Sequence, residues 1–198
     1  MDIFLDNLTF IWVNSFLAVV AVLFGWLMSK ANSVFAKAWT GFLWLIFLPN
    51  TIYILTDITH LFEQWPKVDI FFKFILIIQY AIFSIFGTIT FVIATYFFQK
   101  LLEGKSANRR KKGIKASTAV TIFILNFIVG FGVILGGIRR TNSWYIFTNP
   151  SRVLEDSLNL IYSQELLILA FGVGILANLI YFLMLQNVVA WGNKHFKS

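Results

Sequence analysis

The chain has 198 residues, of which 59% are hydrophobic and 13% charged, with a formal net charge of +7 and no cysteine. That leaves no room for a sizeable soluble domain beside the apolar segments described below. It also excludes disulfides, thiolate metal sites, thiol catalysis and cysteine lipidation.

Five uncharged, mostly apolar stretches run Asn7–Ser29, Ala38–Thr56, Phe74–Gln99, Ala116–Ile138 and Leu166–Asn193. A hydrocarbon core of about 30 Å needs about 20 residues of helix, and each stretch approaches or exceeds that length. The expected fold is all-α and polytopic, with five transmembrane helices in a single integral membrane domain over residues 1–198. The start, Met1-Asp2-Ile3-Phe4-Leu5-Asp6, is acidic rather than basic, and the apolar run after it is too long for a signal peptide. The first span is therefore expected to stay in the mature protein. Trp12 and Trp26, near its two ends, match an interfacial aromatic belt.

The second span carries the most informative pattern. Pro49 frees the carbonyl of Leu45, which predicts a kink just below Asn50. Asn50, Tyr53, Asp57 and His60 are spaced 3, 4 and 3 residues apart, so they share one helical face. The stripe descends about 10 Å into the membrane from its outer end. Polar groups at that depth need a bundle interior or a wet cavity. The third span runs back and brings Tyr80, then Ser84 and Thr88, to matching depths, and Asn14 of the first span lies at a similar level. These residues predict a polar pocket open to the outside and lined by spans one, two and three. The third stretch is longer than a bilayer requires, so it is expected to tilt or to continue as helix through Tyr96–Lys100.

Charge sets the expected orientation. With the amino terminus outside, the inner segments hold eleven lysines and arginines against the single acid Glu103. The outer segments hold five against eight acids, so the two sides carry +10 and −3. The positive-inside rule then gives an N-out, C-in protein. The basic run Asn108–Lys115 reads as an orienting loop on anionic headgroups. No aromatic residues interleave its charges for base stacking, so nucleic acid is not expected as a partner.

Spans four and five carry small residues at helix-packing spacing, Gly132 and Gly136 on one and Ala170 and Gly174 on the other. Intramolecular packing is the expected use, with a homodimer as the alternative. Asn126 and Asn178 lie at about equal depth and are expected to share an interhelical hydrogen bond. After span four, Arg139-Arg140-Thr141-Asn142-Ser143-Trp144 places two arginines on the outer side, against the charge rule. Their candidate partners are Asp57, Asp69, Glu155, Asp156, or an anionic group met in fork geometry. Asp57 and Arg140 are expected to approach each other directly or through a ligand or water. Residues 149–161 predict a short interfacial helix capped by Asn149, with Pro150 first and Leu154, Leu158 and Ile161 on one apolar face.

Catalytic readings are weaker. Asp57, His60 and Glu63 come close in sequence, but His195 sits on the opposite side. A zinc hydrolase needs three protein ligands and an open position, so neither a metal nor another cofactor is expected. His60 as proton carrier oriented by Asp57, or as base for Ser143, remain paper constructions that need proof of contact.

Two motifs carry a resemblance. Phe47, Leu48, Pro49, Asn50, Tyr53, Thr56, Asp57, His60 and Leu61 follow the pattern F-L-P-N-x-x-Y-x-x-T-D-x-x-H-L. Gly132, Leu135, Gly136, Arg140, Asn142, Ser143 and Trp144 follow G-x-x-L-G-x-x-x-R-x-N-S-W, with Pro150 beyond. Over roughly residues 40–160 the chain resembles a family of uncharacterised bacterial multi-pass membrane proteins, known only as a domain of unknown function. Gly137 stands where that pattern often has another arginine, and Tyr145 where it often has aspartate. The resemblance implies a bacterial membrane protein and no particular activity.

The functional expectation is an outward pocket that binds or helps transport an anionic small molecule or lipid headgroup. Arg140 would meet the anion, with Asn50, Tyr53, Asp57, His60, Tyr80, Asn142 and Ser143 completing the lining and Trp144 packing on an apolar part of the ligand. The rivals are a membrane-embedded hydrolase or transferase using Asp57 and His60 on a lipid or cell-wall precursor, and an assembly protein without a ligand.

Overall fold

The computed structural model describes residues 2–104 and 114–195. Ser106 and most of the basic run from Asn108 lie outside the described residues. In chain order the helices are α1 (Asp2–Lys30), α2 (Val34–Phe47), α3 (Pro49–Thr56), α4 (Ile58–Gln64), α5 (Ile70–Glu103), α6 (Ala116–Gly137), α7 (Tyr145–Thr148), α8 (Pro150–Tyr162) and α9 (Gln164–His195). A 3-10 turn at Trp65–Lys67 joins α4 to α5.

Five stretches are long and apolar enough to cross a bilayer: Asn7–Lys30, Val34–Lys67, Ile70–Glu103, Ala116–Gly137 and Gln164–Met184. The chain is an all-helical polytopic membrane protein. Several expected boundaries move outward. The second span starts at Val34 and continues past Thr56, and the third starts at Ile70. Lys37 and Lys73 end apolar runs in the sequence, but a lysine has good helix propensity and its long stem can reach the interface, so neither ends a helix.

The second span is broken as Pro49 predicts. The α2 helix stops at Phe47, Leu48 links it to α3, and Pro49 takes the first position of α3. A second interruption follows at Asp57, which ends α3 and opens α4. The short α3 is the centre of the fold, packing against α1, α5 and α6. Its Thr51, Ile52 and Ile54 are buried, and Gly87 of α5 makes room for them. A β-carbon at Gly87 would stand 2.8 Å from both the Ile54 side chain and the Thr51 carbonyl. Ile52 and Leu48 join Phe91, Val92, Ile122, Val129 and Tyr181 in one core cluster. Outward, α5 presents Ile75, Ile78, Ile82, Ile85 and Ile89, as a lipid-facing stripe should.

The closest helix pairing joins α6 and α9. Gly130 is the small residue that permits it, since a β-carbon there would collide with the Ala170 carbonyl and with Gly174. Gly132 instead faces Pro49, and Gly136 has nothing within 4 Å. The expected intramolecular packing is made by Gly132 against Pro49 and by Ala170 and Gly174 against Gly130 and Phe127, while Gly136 takes no part. Lower down, the Asn126 Nδ2 donates to Asn178 Oδ1 at 2.9 Å, the interhelical bond anticipated from their depths. Asn178 Nδ2 in turn donates to the Gly174 and Phe123 carbonyls.

The predicted helix after span four is present as α8, and Asn149 Oδ1 accepts from the Arg152 backbone N–H at 3.3 Å. Its seating on the bundle depends on a further residue. Leu160, which is fully buried, fixes it against Ile134 and Ala170, while Leu154, Leu158 and Ile161 are exposed.

Candidate functional site

The polar stripe lies at the end of the bundle that carries Asp57, Glu63, Asp69, Glu155, Asp156 and Glu165, the acid-rich end. Its residues are handed to several different helices. At the break between α3 and α4, Asp57 is only 3% exposed, and its Oδ2 accepts from Asn14 Nδ2 of α1 at 2.9 Å. No ion pair among the described residues involves Asp57. One turn on, His60 pairs with Glu63 rather than with Asp57, its Nδ1 3.2 Å from Glu63 Oε2 and its ring 5.6 Å from that of Phe10. Ser143, which a nucleophile reading would bring to His60, is elsewhere.

Asn50 is the link to that segment. Its Nδ2 donates to Ser143 Oγ at 2.9 Å and to the Phe47 carbonyl at 3.0 Å, tying α3 to the turn after α6. The second bond also caps a carbonyl at the Pro49 break, where the helix ladder is interrupted. Tyr53 is half-buried beside Gly137, where a β-carbon would come 3.0 Å from the tyrosine ring. The Asp57 carboxylate and the Arg140 guanidinium both act electrostatically on the Tyr53 hydroxyl. Of the two expected routes between Asp57 and Arg140, the direct ion pair is not made among the described residues, and Tyr53 stands within range of both groups.

Arg140 has a left-handed backbone, φ 53°, and an exposed side chain with no ion pair among the described residues. The turn is closed by the Thr141 N–H donating to the Leu135 carbonyl at 3.0 Å. Glycine is the usual occupant of such a helix-ending position. The neighbouring arginine is used differently. Arg139 Nε lies 3.5 Å from Asp156 Oδ1, and Arg152 Nε lies 3.5 Å from the other oxygen of that carboxylate. Thr141 Oγ1 donates to Asp156 at 2.6 Å, and the Arg152 guanidinium sits 4.9 Å over the Tyr145 ring. Of the four acids considered as arginine partners, Asp156 takes both Arg139 and Arg152. Asn142 supplies a turn carbonyl to the Tyr145 N–H at 2.9 Å, and Trp144, 40% exposed, packs against Tyr145.

Tyr80 reaches a separate cluster. Its hydroxyl lies 3.4 Å from Gln64 Oε1, which also accepts from Asn7 Nδ2 at 3.0 Å. Gln64 Nε2 returns a bond to Asn7 Oδ1 at 2.7 Å, and Asn7 also donates to Gln79 Oε1 at 3.2 Å. This amide knot ties α1, α4 and α5 together. Sequence reasoning missed Asn7, Gln64 and Gln79, although Gln64 continues the stripe at the next four-residue step from His60.

A family model described as "Protein of unknown function (DUF1361)" matches residues 12–180. The chain belongs to that family. No curated protein and no solved structure matches it. Asn14, the whole stripe and the Arg140–Trp144 turn of this DUF1361 protein fall inside the matched region, and Asn7 falls before it. What the arrangement can do chemically rests on three features: a buried carboxylate with one amide donor, an exposed guanidinium on a constrained turn, and a tyrosine in range of both.

Proposed function

We propose that this DUF1361 protein sits in a bacterial plasma membrane with its amino terminus outside. In this reading its acid-rich end presents a polar site for an anionic small molecule or lipid headgroup. The observation that carries the reading is Arg140, an exposed guanidinium without an ion pair among the described residues, three positions before the Ser143 that bonds Asn50. A guanidinium binds phosphate or carboxylate oxygens in a planar fork, and the Asn50, Tyr53 and Ser143 polar atoms supply neighbouring hydrogen-bonding groups. Trp144 provides an apolar wall at membrane-interface height. Binding, with or without transport, is favoured over hydrolysis because His60 is engaged with Glu63 and Ser143 with Asn50, so no nucleophile is paired with a base.

The test uses full-length protein in lipid nanodiscs, titrated with inorganic phosphate and followed by calorimetry. A parallel arm compares phosphatidylglycerol with phosphatidylcholine for stabilisation of the protein. Arg140→Gln should weaken whichever ligand binds by about tenfold or more, the loss of one charge-assisted hydrogen-bonding group, while Arg140→Lys retains part of it. Equal affinity of wild type and Arg140→Gln for both phosphate and phosphatidylglycerol would discard the reading.

A further inference from the structure

We infer that Asp57 is a binding site for a small monovalent cation, a proton or a sodium ion, at the break in the second span. The inference is independent of the anion reading and concerns a different group. A carboxylate buried in a membrane-spanning stretch is expensive unless a positive charge or several donors compensate it. Here the residue is 3% exposed, has one side-chain donor, Asn14, and joins no ion pair among the described residues.

The charged and titratable groups facing it are few. From its own segment come Tyr53, His60 and Glu63, from α5 Tyr80, and from α1 the uncharged Asn14. Arg140 acts on the Tyr53 hydroxyl rather than pairing with the carboxylate. Among the described residues no fixed cation pairs with the carboxylate.

The surroundings suit a cation that comes and goes. Asp57 marks the junction of α3 and α4, where the backbone bonding tightens. The Asp57 carbonyl accepts from the His60 N–H at 3.0 Å, and the Thr56 and Thr59 hydroxyls donate to the Tyr53 and Thr56 carbonyls. The carboxylate itself is thus the group left with a single donor. Asn14 carries an amide that presents N–H to a bare carboxylate, or, after rotation, its carbonyl oxygen to a protonated acid or a metal ion. A proton would form an O–H bond on a carboxylate oxygen, released from hydronium. The exposed His60–Glu63 pair lies one turn further toward the acid-rich end. A sodium ion would sit between the carboxylate and the Asn14 oxygen and keep part of its water shell, with no bond broken except to the waters it sheds.

Thermal unfolding of the full-length protein in nanodiscs distinguishes the two sources. Sodium chloride is replaced by choline chloride at constant chloride and pH, and in a second arm pH is varied in sodium-free choline chloride. A ligand held by the folded protein raises its stability with concentration. A sodium site should raise the unfolding temperature by about a few degrees per tenfold increase in sodium. A proton site should show no sodium effect but lose stability as pH rises, because a proton held only by the folded state is given up along the way. Either dependence must vanish in Asp57→Asn, whose neutral side chain needs no cation. The inference is overturned if neither dependence appears in the wild type, or if Asp57→Asn keeps it. Should Asp57→Asn fail to fold, Asn14→Ala must shift the midpoint of the sodium or proton dependence severalfold, and an unshifted midpoint is equally fatal.

Discussion

At Arg140 the backbone takes a left-handed turn, φ 53°, in a residue that carries a β-carbon and a long charged side chain. That conformation costs about 1–2 kcal/mol relative to glycine, and such strain concentrates where a side chain is wanted for its chemistry. Arg140→Gly should therefore hold or raise the thermal stability, by up to about 1 kcal/mol, while abolishing anion binding. A fall in both would mean that the guanidinium braces the fold. The Asn50–Ser143 bond makes a second residue-scale prediction. A double-mutant cycle with Asn50→Ala and Ser143→Ala should give a coupling of about 1 kcal/mol in chemical or thermal unfolding, and simple additivity would show that the bond is not made in the membrane. The one-face placement of Asn50, Tyr53, Asp57 and His60 was legible because helical spacing alone decides which residues share a face. Their partners were not. Asn14 and Ser143 are 43 and 93 residues from the groups they meet, and only packing of separate helices chooses among such candidates.

Helix by helix, the small residues separate cleanly into those that packing requires and those it does not. Gly130→Ala forces a β-carbon into backbone atoms of α9 and should destabilise the protein by about 1–3 kcal/mol, as overpacked interfaces do. Gly136→Ala meets nothing within 4 Å and should be neutral or slightly stabilising, by up to about 1 kcal/mol from helix propensity. Unfolding of the two variants in the same detergent compares them directly; equal loss in both would refute the α6–α9 seam. The sequence pattern pointed to Gly132 and Gly136 because they lie four apart, yet Gly130 shares the close approach with Ala170 and Gly174. Spacing marks a face that can pack closely, whereas the rotation of the helix determines which face does. In α8 periodicity picked out the apolar face of Leu154, Leu158 and Ile161, and the fold added Leu160 as the buried residue that seats the helix on the bundle.

For the molecule as a whole, orientation is the testable quantity, and the absence of native cysteine makes it directly accessible. In intact cells, Lys67→Cys and Ser151→Cys should react with an impermeant thiol reagent and Ser106→Cys should not. The reverse pattern would turn the acid-rich end to the cytoplasm. A related measurement probes the stripe. Asn50→Cys should react with small polar reagents from the acid-rich end much faster than Ile52→Cys or Ile54→Cys, because Asn50 is half-buried while both isoleucines are fully buried. A thiol shut in an apolar core seldom reaches the reactive thiolate form. Equal silence at all three positions would make the stripe a closed helix interface.

Five spans, the break at Pro49, the cap at Asn149 and the shared face of the polar stripe follow from the sequence by itself. Each depends on local rules: run length against bilayer thickness, a missing backbone N–H, a side chain one turn from its donor, and the period of the helix. The tertiary structure alone decided that Asp57 turns to Asn14 rather than to an arginine, and that Asp156 holds Arg139 and Arg152. It also drew Asn7, Gln64, Gln79 and Tyr80 into one amide cluster. Those choices depend on the relative rotation and depth of helices far apart in the chain. In lipid, where apolar faces gain little by leaving one apolar medium for another, that arrangement is set by close packing at small residues and by which polar groups find partners.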